Sequence, residues 1–362
     1  MVNRLSLFPG VHLSNLLRRR PWTLLTVTTF SLALLACGPL DSLMGGGSQA
    51  AEEAKSSLNK GELDAASAKF EEALKAAPTS VDAAVGAAYM RSLKGDLDGA
   101  DAALAGAEAG AGEKVGEIKL RRALIAMQKG DLDKVKELGN GSNLPAGKLL
   151  AAEAELADGN REPAKAILEG ISGDAGSVGA TAKQYLALMA DPNPLVAGLS
   201  ETQALWALGQ QKVAVRSVEE LVKAYAESHD DGPEQILLWA GRAAALGEAE
   251  VAWRLLDAIS VPPENQAWRV MATKGIAWCA DGNAGECIKT FEQVKVMAPA
   301  DGYVDARVTA ANVIAGRDPA TARQLLEGVQ GDGAARVYLL LGDKQAAASV
   351  AADPFLKKQL GG

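Results

Sequence analysis

A short motif recurs along this chain at a nearly constant interval, and it restricts the fold more than any other feature. Three copies place their glycines 34 and 35 residues apart: Lys60-Gly61-Glu62-Leu63-Asp64, Lys94-Gly95-Asp96-Leu97-Asp98 and Lys129-Gly130-Asp131-Leu132-Asp133. Each glycine lies between two stretches with helical apolar spacing, where a residue with left-handed backbone angles closes a helix. The acids that follow would lie at the positive amino end of the next helix. The pattern predicts repeated antiparallel helical hairpins.

Two copies of the repeat resemble the tetratricopeptide repeat, TPR. The first copy matches the family's turn glycine, small residue, aromatic, alanine and final proline with Gly61, Ala66, Phe70, Ala73 and Pro78. A later copy matches the family's pattern at Gly275, Trp278, Gly282, Phe291 and Pro299, with Gly282 in the turn. The resemblance covers most of residues 51–350, strongly in these two copies and weakly elsewhere. It implies an all-α protein, a right-handed α-solenoid of TPR-like antiparallel helical hairpins.

The interval between turn glycines predicts how the chain is divided. Further turn glycines are expected at Gly159, Gly209, Gly247 and Gly316. The interval from Gly159 to Gly209 is too long for one repeat, and Asp191-Pro192-Asn193-Pro194 lies inside it. Because proline and asparagine clusters break helices, we expect one solenoid at residues 51–190 and a second at 191–362. A short final hairpin that begins at Gly342 would cap the second.

The amino terminus has the pattern of an export signal. Arg18, Arg19 and Arg20 precede an apolar stretch, residues 21–36, which is short for a membrane span of about 20 residues. The following Leu34-Leu35-Ala36-Cys37-Gly38 resembles the lipobox of bacterial lipoproteins. The resemblance implies that residues 1–36 are a lipoprotein signal peptide and that Cys37 is acylated. An uncleaved anchor, or an ordinary signal with an incidental cysteine, is the alternative.

The same resemblance predicts where the protein is located. Gly38, rather than aspartate, after the cysteine implies sorting to the outer membrane. Three acyl chains would give firm membrane anchoring, since a single chain binds only marginally. Residues 37–50 include Gly45-Gly46-Gly47-Ser48 and have no apolar period, which is typical of a flexible tether. We therefore expect a lipid-anchored protein that faces the periplasm or the cell surface.

Charge argues against nucleic acid as a partner. The whole chain has 37 basic and 45 acidic residues. The first 36 residues contain four arginines and no acid, which leaves 33 basic and 45 acidic residues, a net charge of −12, for the rest. A chain this acidic repels phosphate backbones. Its 48% hydrophobic but only 4% aromatic composition also suits stacked helices better than a β-sandwich.

The sequence has no motif that supports catalysis. Beyond the signal there is one histidine, His229, and its neighbours Gly232 and Pro233 predict a solvated loop rather than a metal or catalytic site. We find no phosphate-binding loop, dinucleotide fingerprint or zinc-like cysteine spacing. We therefore expect no enzyme activity, no metal and no cofactor.

Two cysteines and two aromatic residues are the remaining candidates for a site. Cys279 and Cys287 flank the turn at Gly282, and export would allow a disulfide if their Cα atoms come within about 7 Å. The alternative is two buried thiols without a bond. We favour this alternative because Cys287 occupies the small-residue place of the repeat. Tyr89 and Trp206 are expected on the concave face, which is formed by the first helix of each hairpin. Core packing is the more common role of such aromatic residues, and contact with a ligand is the alternative.

Together these features predict an interaction protein. The resemblance implies an outer-membrane TPR lipoprotein whose concave face binds envelope proteins, as a scaffold or assembly factor for pilus, motility, outer-membrane or wall-synthesis machinery. One alternative is a peptidoglycan- or polysaccharide-associated regulator of a cell-wall enzyme. The other is a degenerate enzyme with acids on the concave face.

Overall fold

The described part of the protein is built from helices alone. The computed structural model describes residues 49–59, 62–259, 265–353, 356–357 and 360. Within these ranges there are 20 α-helices and two short 3₁₀ helices, and no strand. The all-α prediction is therefore confirmed. The chain forms two compact units, the first ending at Met189 and the second beginning at Ala190, with Ala207–Gly209 grouped with the first.

The first unit consists of four helical hairpins and a ninth helix. Its α-helices are α1 (Gln49–Asn59), α2 (Leu63–Ala76), α3 (Val81–Leu93), α4 (Leu97–Ala107), α5 (Val115–Lys129), α6 (Leu132–Gly141), α7 (Pro145–Ala157), α8 (Arg161–Ile171) and α9 (Ser177–Met189). Direct packing joins α1 with α2, α3 with α4, α5 with α6, and α7 with α8. The helix α1 includes Gln49 and Ala50, the last two residues of the predicted tether.

The second unit continues the same pattern. Its helices are α10 (Pro194–Ala207), α11 (Gln211–Ser217), α12 (Glu219–Ala226), α13 (Gly232–Ala245), α14 (Ala249–Asp257), α15 (Ala267–Asp281), α16 (Ala284–Met297), α17 (Ala300–Ile314), α18 (Pro319–Leu325), α19 (Asp332–Leu340) and α20 (Lys344–Val350). Hairpins pair α13 with α14, α15 with α16, α17 with α18, and α19 with α20. Gly342 lies in the turn of the last hairpin, whereas the sequence placed it at the beginning.

The hairpin turns use the residues that the sequence predicted for them. Positive φ angles occur at Gly95, Gly130, Gly159, Gly209, Gly247, Gly282 and Gly342. The acid or amide that follows caps the next helix: Asp131 accepts a hydrogen bond from the backbone N–H of Lys134 at 3.1 Å, and Asn283 from that of Glu286 at 3.2 Å. Such caps contribute roughly 1 kcal/mol each. Gly61 lies outside the described residues.

Gly316 differs from the other turn glycines. Its φ is not in the left-handed region, and a Cβ added there would meet nothing within 4 Å. Helix α18 begins instead through Asp318, whose carboxylate accepts from the backbone N–H of Thr321 at 3.1 Å, and through Pro319 in the first turn. A side-chain cap and a proline thus take over the role that a left-handed glycine has elsewhere.

This difference gives a paired prediction for stability. Gly282→Ala should lower the free energy of unfolding by about 1–2 kcal/mol, because Gly282 has φ +81° and an L side chain is strained there. Gly316→Ala should be neutral or raise it by up to about 1 kcal/mol, because alanine fits without strain and restricts the unfolded chain. Urea unfolding followed by circular dichroism measures both. Equal effects of the two substitutions would contradict the described turns.

Candidate binding surface

Trp206 lies at the centre of an aromatic cluster in the second unit. It is half-buried near the end of α10 and contacts the ring of Trp239 on α13 edge to face, with ring centroids 5.7 Å apart at 85°. Trp239 is only 1% exposed. The buried Trp239 therefore holds the half-buried Trp206 in a fixed position.

Arg242 completes this cluster. Trp239 and Arg242 are three residues apart on α13 and so lie on one face of the helix. The guanidinium carbon of Arg242 lies 4.4 Å from the ring centroid of Trp206 and 4.3 Å from that of Trp239. Each cation–π contact contributes roughly 0.5–2 kcal/mol. In the cluster Trp206–Trp239–Arg242 the guanidinium lies over both rings, and Trp206 is the tryptophan that remains partly exposed. Partly exposed tryptophans are frequent anchors at protein interfaces.

The sequence missed the two partners of Trp206. The sequence predicts Trp206 as a candidate contact and singles out neither Trp239 nor Arg242. The available signal was the i, i+3 spacing of Trp239 and Arg242, which puts an aromatic and a cation on one helical face.

Tyr89, the other candidate contact, lies in the first unit. It is half-buried on α3 and packs against a core cluster that includes Phe70, Ala87 and Met90. Its described contacts therefore belong to core packing. Tyr89 and Trp206 belong to different units.

Trp278 on α15 contacts the preceding hairpin. Its ring lies 4.6 Å, centroid to centroid, from that of Trp253 on α14. The indole N–H of Trp253 donates to a carboxylate oxygen of Asp281 at 2.7 Å. The two tryptophans thus join successive hairpins.

Cys279 and Cys287 form a disulfide in the structure. Their Cα atoms are 5.2 Å apart, and both residues are fully buried. The sequence favoured two free thiols because Cys287 occupies a small-residue place, yet that place also brings it against the end of α15. The bond joins α15 and α16 across the turn at Gly282. Closing a loop of 8 residues contributes about 2–3 kcal/mol in the chain-entropy treatment.

His229 is packed rather than solvated. Its ring stacks on that of Tyr225, with centroids 3.9 Å apart, and its side chain is 32% exposed. The atom Nδ1 lies 2.9 Å from the Ser228 hydroxyl and 3.1 Å from the Tyr225 carbonyl, while Nε2 lies 3.5 Å from Asp191. Burial raises the pKa of Tyr225 to about 12, and the hydrogen bond that its hydroxyl donates to Asp231 contributes to the rise. These contacts fix the loop between α12 and α13.

A buried carboxyl occurs in the first unit. Glu153 on α7 accepts a hydrogen bond from the Tyr185 hydroxyl of α9 at 3.2 Å. Burial raises the pKa of Glu153 to about 8, although the hydrogen bond from Tyr185 opposes the shift. The carboxyl is therefore mostly protonated at neutral pH. The sequence did not single out either residue.

Cys37, the signal peptide and most of the tether lie outside the described residues. Among the helices that are described, none is both long and apolar enough to cross a membrane. The described residues also contain no group of three histidine, cysteine or acidic side chains arranged to hold a metal ion.

No model of a known protein family matches the sequence, and a search of curated proteins finds no significant match.

Proposed function

We propose that this protein is a lipid-anchored TPR-like solenoid that binds other proteins of a bacterial cell envelope. The observation that carries the proposal is the series of antiparallel hairpins in which the half-buried Trp206 lies beside Arg242. Repeated hairpins stack into extended surfaces that other proteins bind. The proposal includes a right-handed TPR superhelix whose concave face is lined by the first helix of each hairpin.

The anchor is proposed from the sequence around Cys37. Acylation of Cys37 would confine the solenoid to the outer membrane and raise its effective concentration at that surface. The cluster Trp206–Trp239–Arg242 would then bind a segment of an envelope protein. In this role the protein acts as a scaffold or assembly factor and needs no catalytic group.

The test is affinity purification of the full-length protein from detergent-solubilised envelopes. Trp206→Ala should reduce the recovery of a stoichiometric envelope protein at least tenfold, because aromatic anchors dominate binding energy at interfaces. Trp253→Ala is the matched control, since Trp253 is also half-buried but lies on the second helix of a hairpin. Circular dichroism checks that both variants stay folded.

Membrane attachment is tested separately with Cys37→Ser. This variant should move from the membrane fraction to the soluble fraction after cell lysis. Unchanged attachment, together with no loss of partner in Trp206→Ala, would contradict the proposal. Retention of the purified protein on isolated peptidoglycan, with no protein partner recovered, would favour the cell-wall alternative.

A further inference from the structure

The Cys279–Cys287 disulfide is enclosed within the second unit. Both cysteines are 0% exposed, and they lie on either side of the turn that joins α15 and α16. Besides its hairpin partner α16, the helix α15 packs directly against α13, α14 and α17. Thiol–disulfide exchange requires that an attacking thiolate reaches a sulfur atom. An oxidant or a reductant therefore has no direct access to these sulfurs while the unit is packed.

Both neighbouring hairpins are attached to the end of α15 that carries Cys279. The indole N–H of Trp253 on α14 donates to Asp281 at 2.7 Å. From the following hairpin, a guanidinium N–H of Arg317 donates to the backbone carbonyl of Ala280. Exposing Cys279 in the folded protein therefore breaks contacts with two hairpins, which is more than the fraying of one turn.

The turn between the two cysteines is held by local contacts. The backbone N–H of Gly282 donates to the Cys279 carbonyl at 3.0 Å, and that of Cys287 donates to the Asn283 carbonyl at 2.9 Å. Gly282 has φ +81°, and the Asn283 side chain caps α16. All of these contacts lie within residues 279–287, and a short loop closes at low entropic cost. The turn can therefore bring the two thiols together before the hairpins pack.

Only one internal disulfide can form after the predicted processing. The sequence has three cysteines, and acylation of Cys37 leaves the thiols of Cys279 and Cys287. Two thiols pair in one way, so oxidation is needed but no later isomerisation of wrongly paired cysteines.

We propose that the Cys279–Cys287 bond forms on the exported chain before the second unit packs, by thiol–disulfide exchange with a disulfide-bearing oxidant of the cell envelope. The inference rests on the proposed export, because disulfides form and persist in oxidising compartments. Burial of both sulfurs then protects the bond from reductants. The bond is therefore a permanent part of the hairpin rather than a redox switch.

The exchange takes two steps. The thiolate of one cysteine attacks the disulfide of the oxidant, which gives a mixed disulfide and releases one sulfur of the oxidant as a thiolate. The thiolate of the other cysteine then attacks the mixed disulfide, which forms the Cys279–Cys287 bond and releases the second sulfur of the oxidant. Two electrons pass from the cysteines to the oxidant, and the two protons that the cysteines lose are taken up by the two oxidant thiolates.

Pulse labelling of cells that express the full chain tests the order of events. After each chase time the outer membrane is permeabilised, trypsin resistance of the second unit reports packing, and a PEG-maleimide added under denaturing conditions counts free thiols. Chains without free thiols should appear before trypsin-resistant chains. Trypsin-resistant chains that still carry two free thiols would overturn the inference.

Access to the folded bond is tested on the purified full-length protein in detergent. Dithiothreitol should reduce the bond roughly a hundredfold more slowly in the folded protein than in urea, because exchange has to wait for local opening. The control is Lys289→Cys in a chain that also carries Cys279→Ser and Cys287→Ser, because the Lys289 side chain is 66% exposed. Its mixed disulfide with glutathione should be reduced at similar rates in both states. Equal rates for the Cys279–Cys287 bond in the two states would contradict the proposed order.

The oxidant is identified with Cys287→Ser, which leaves Cys279 as a single thiol. Newly exported chains of this variant should carry a mixed disulfide at Cys279, and the mass of the adduct distinguishes a protein oxidant from a small disulfide. Absence of any adduct would rule out the exchange.

The same reagent separates this inference from the membrane anchor. After reduction and denaturation, the original protein should take up two maleimides, at Cys279 and Cys287. Uptake of three would show that Cys37 is not acylated, which would refute the anchor while the buried bond and the order of its formation stand.

Discussion

Gly86→Ala should lower the free energy of unfolding of the first unit by about 1–3 kcal/mol, the range expected for overpacking. An ideal Cβ at Gly86 would lie 2.1 Å from Cε1 and 2.6 Å from Cζ of the Phe70 ring. Phe70 is fully buried, so its ring has little room to move away. Helix α3 therefore packs on α2 only because position 86 has no side chain. Thermal and urea unfolding measure the effect.

A double-mutant cycle separates this clash from a general loss of helix packing. Phe70→Leu removes ring atoms, so Gly86→Ala should cost less in the Phe70→Leu background than alone, by about 0.5–3 kcal/mol. Gly170→Ala is the control, because Gly170 lies in α8 and a Cβ there would meet nothing within 4 Å. This control should raise stability by up to about 1 kcal/mol. Equal effects at Gly86 and Gly170 would refute the close packing.

The sequence predicted the hairpins well because their signals are local. Gly130 closes α5 in the left-handed region, and Asp131 caps α6 by a hydrogen bond within the same turn. Both effects depend on a few adjacent residues, which any copy of the motif contains. Gly316 departs from the pattern because Asp318 and Pro319, two and three residues later, determine the start of the next helix.

The sequence predicted the candidate sites less completely because they depend on contacts between helices. The rings of Trp206 and Trp239 lie in contact although 33 positions separate them in the chain, and no local pattern indicates that pairing. Repeat register assigned Cys287 a small-residue role, but the distance to Cys279 depends on how α15 and α16 approach each other. Burial is likewise set by neighbouring helices. Glu153 is buried while Glu155, two residues along the same helix, is partly exposed.

The buried Glu153 should make the stability of the first unit depend on pH. Its folded-state pKa is about 8, whereas the ordinary value is 4.5. The folded state therefore holds the proton more tightly than the unfolded state. The stabilising contribution is fully present below pH 4.5 and is lost as the pH rises to 8. At pH 7 the loss is about 3 kcal/mol, since each pKa unit corresponds to about 1.4 kcal/mol.

Glu153→Gln tests this expectation, because glutamine is similar in shape and has no proton to lose. Subtracting the unfolding free energies of the two proteins at each pH removes the contributions of other titrating groups. The advantage of Glu153→Gln should grow by about 3 kcal/mol between pH 4 and pH 7 and level off above pH 8. Glu162→Gln, an exposed carboxyl on α8, is the matched control and should show no such trend.

Tyr185→Phe shows whether the hydrogen bond opposes the shift as proposed. The Tyr185 hydroxyl donates to the Glu153 carboxyl and favours its charged form, so its removal should raise the pKa of Glu153 further. The pH at which the stability difference levels off should then move upward. A difference between the original protein and Glu153→Gln that stays constant from pH 4 to pH 9 would show that water reaches this carboxyl. In that case α7 and α9 would not pack closely enough around Glu153 to exclude solvent.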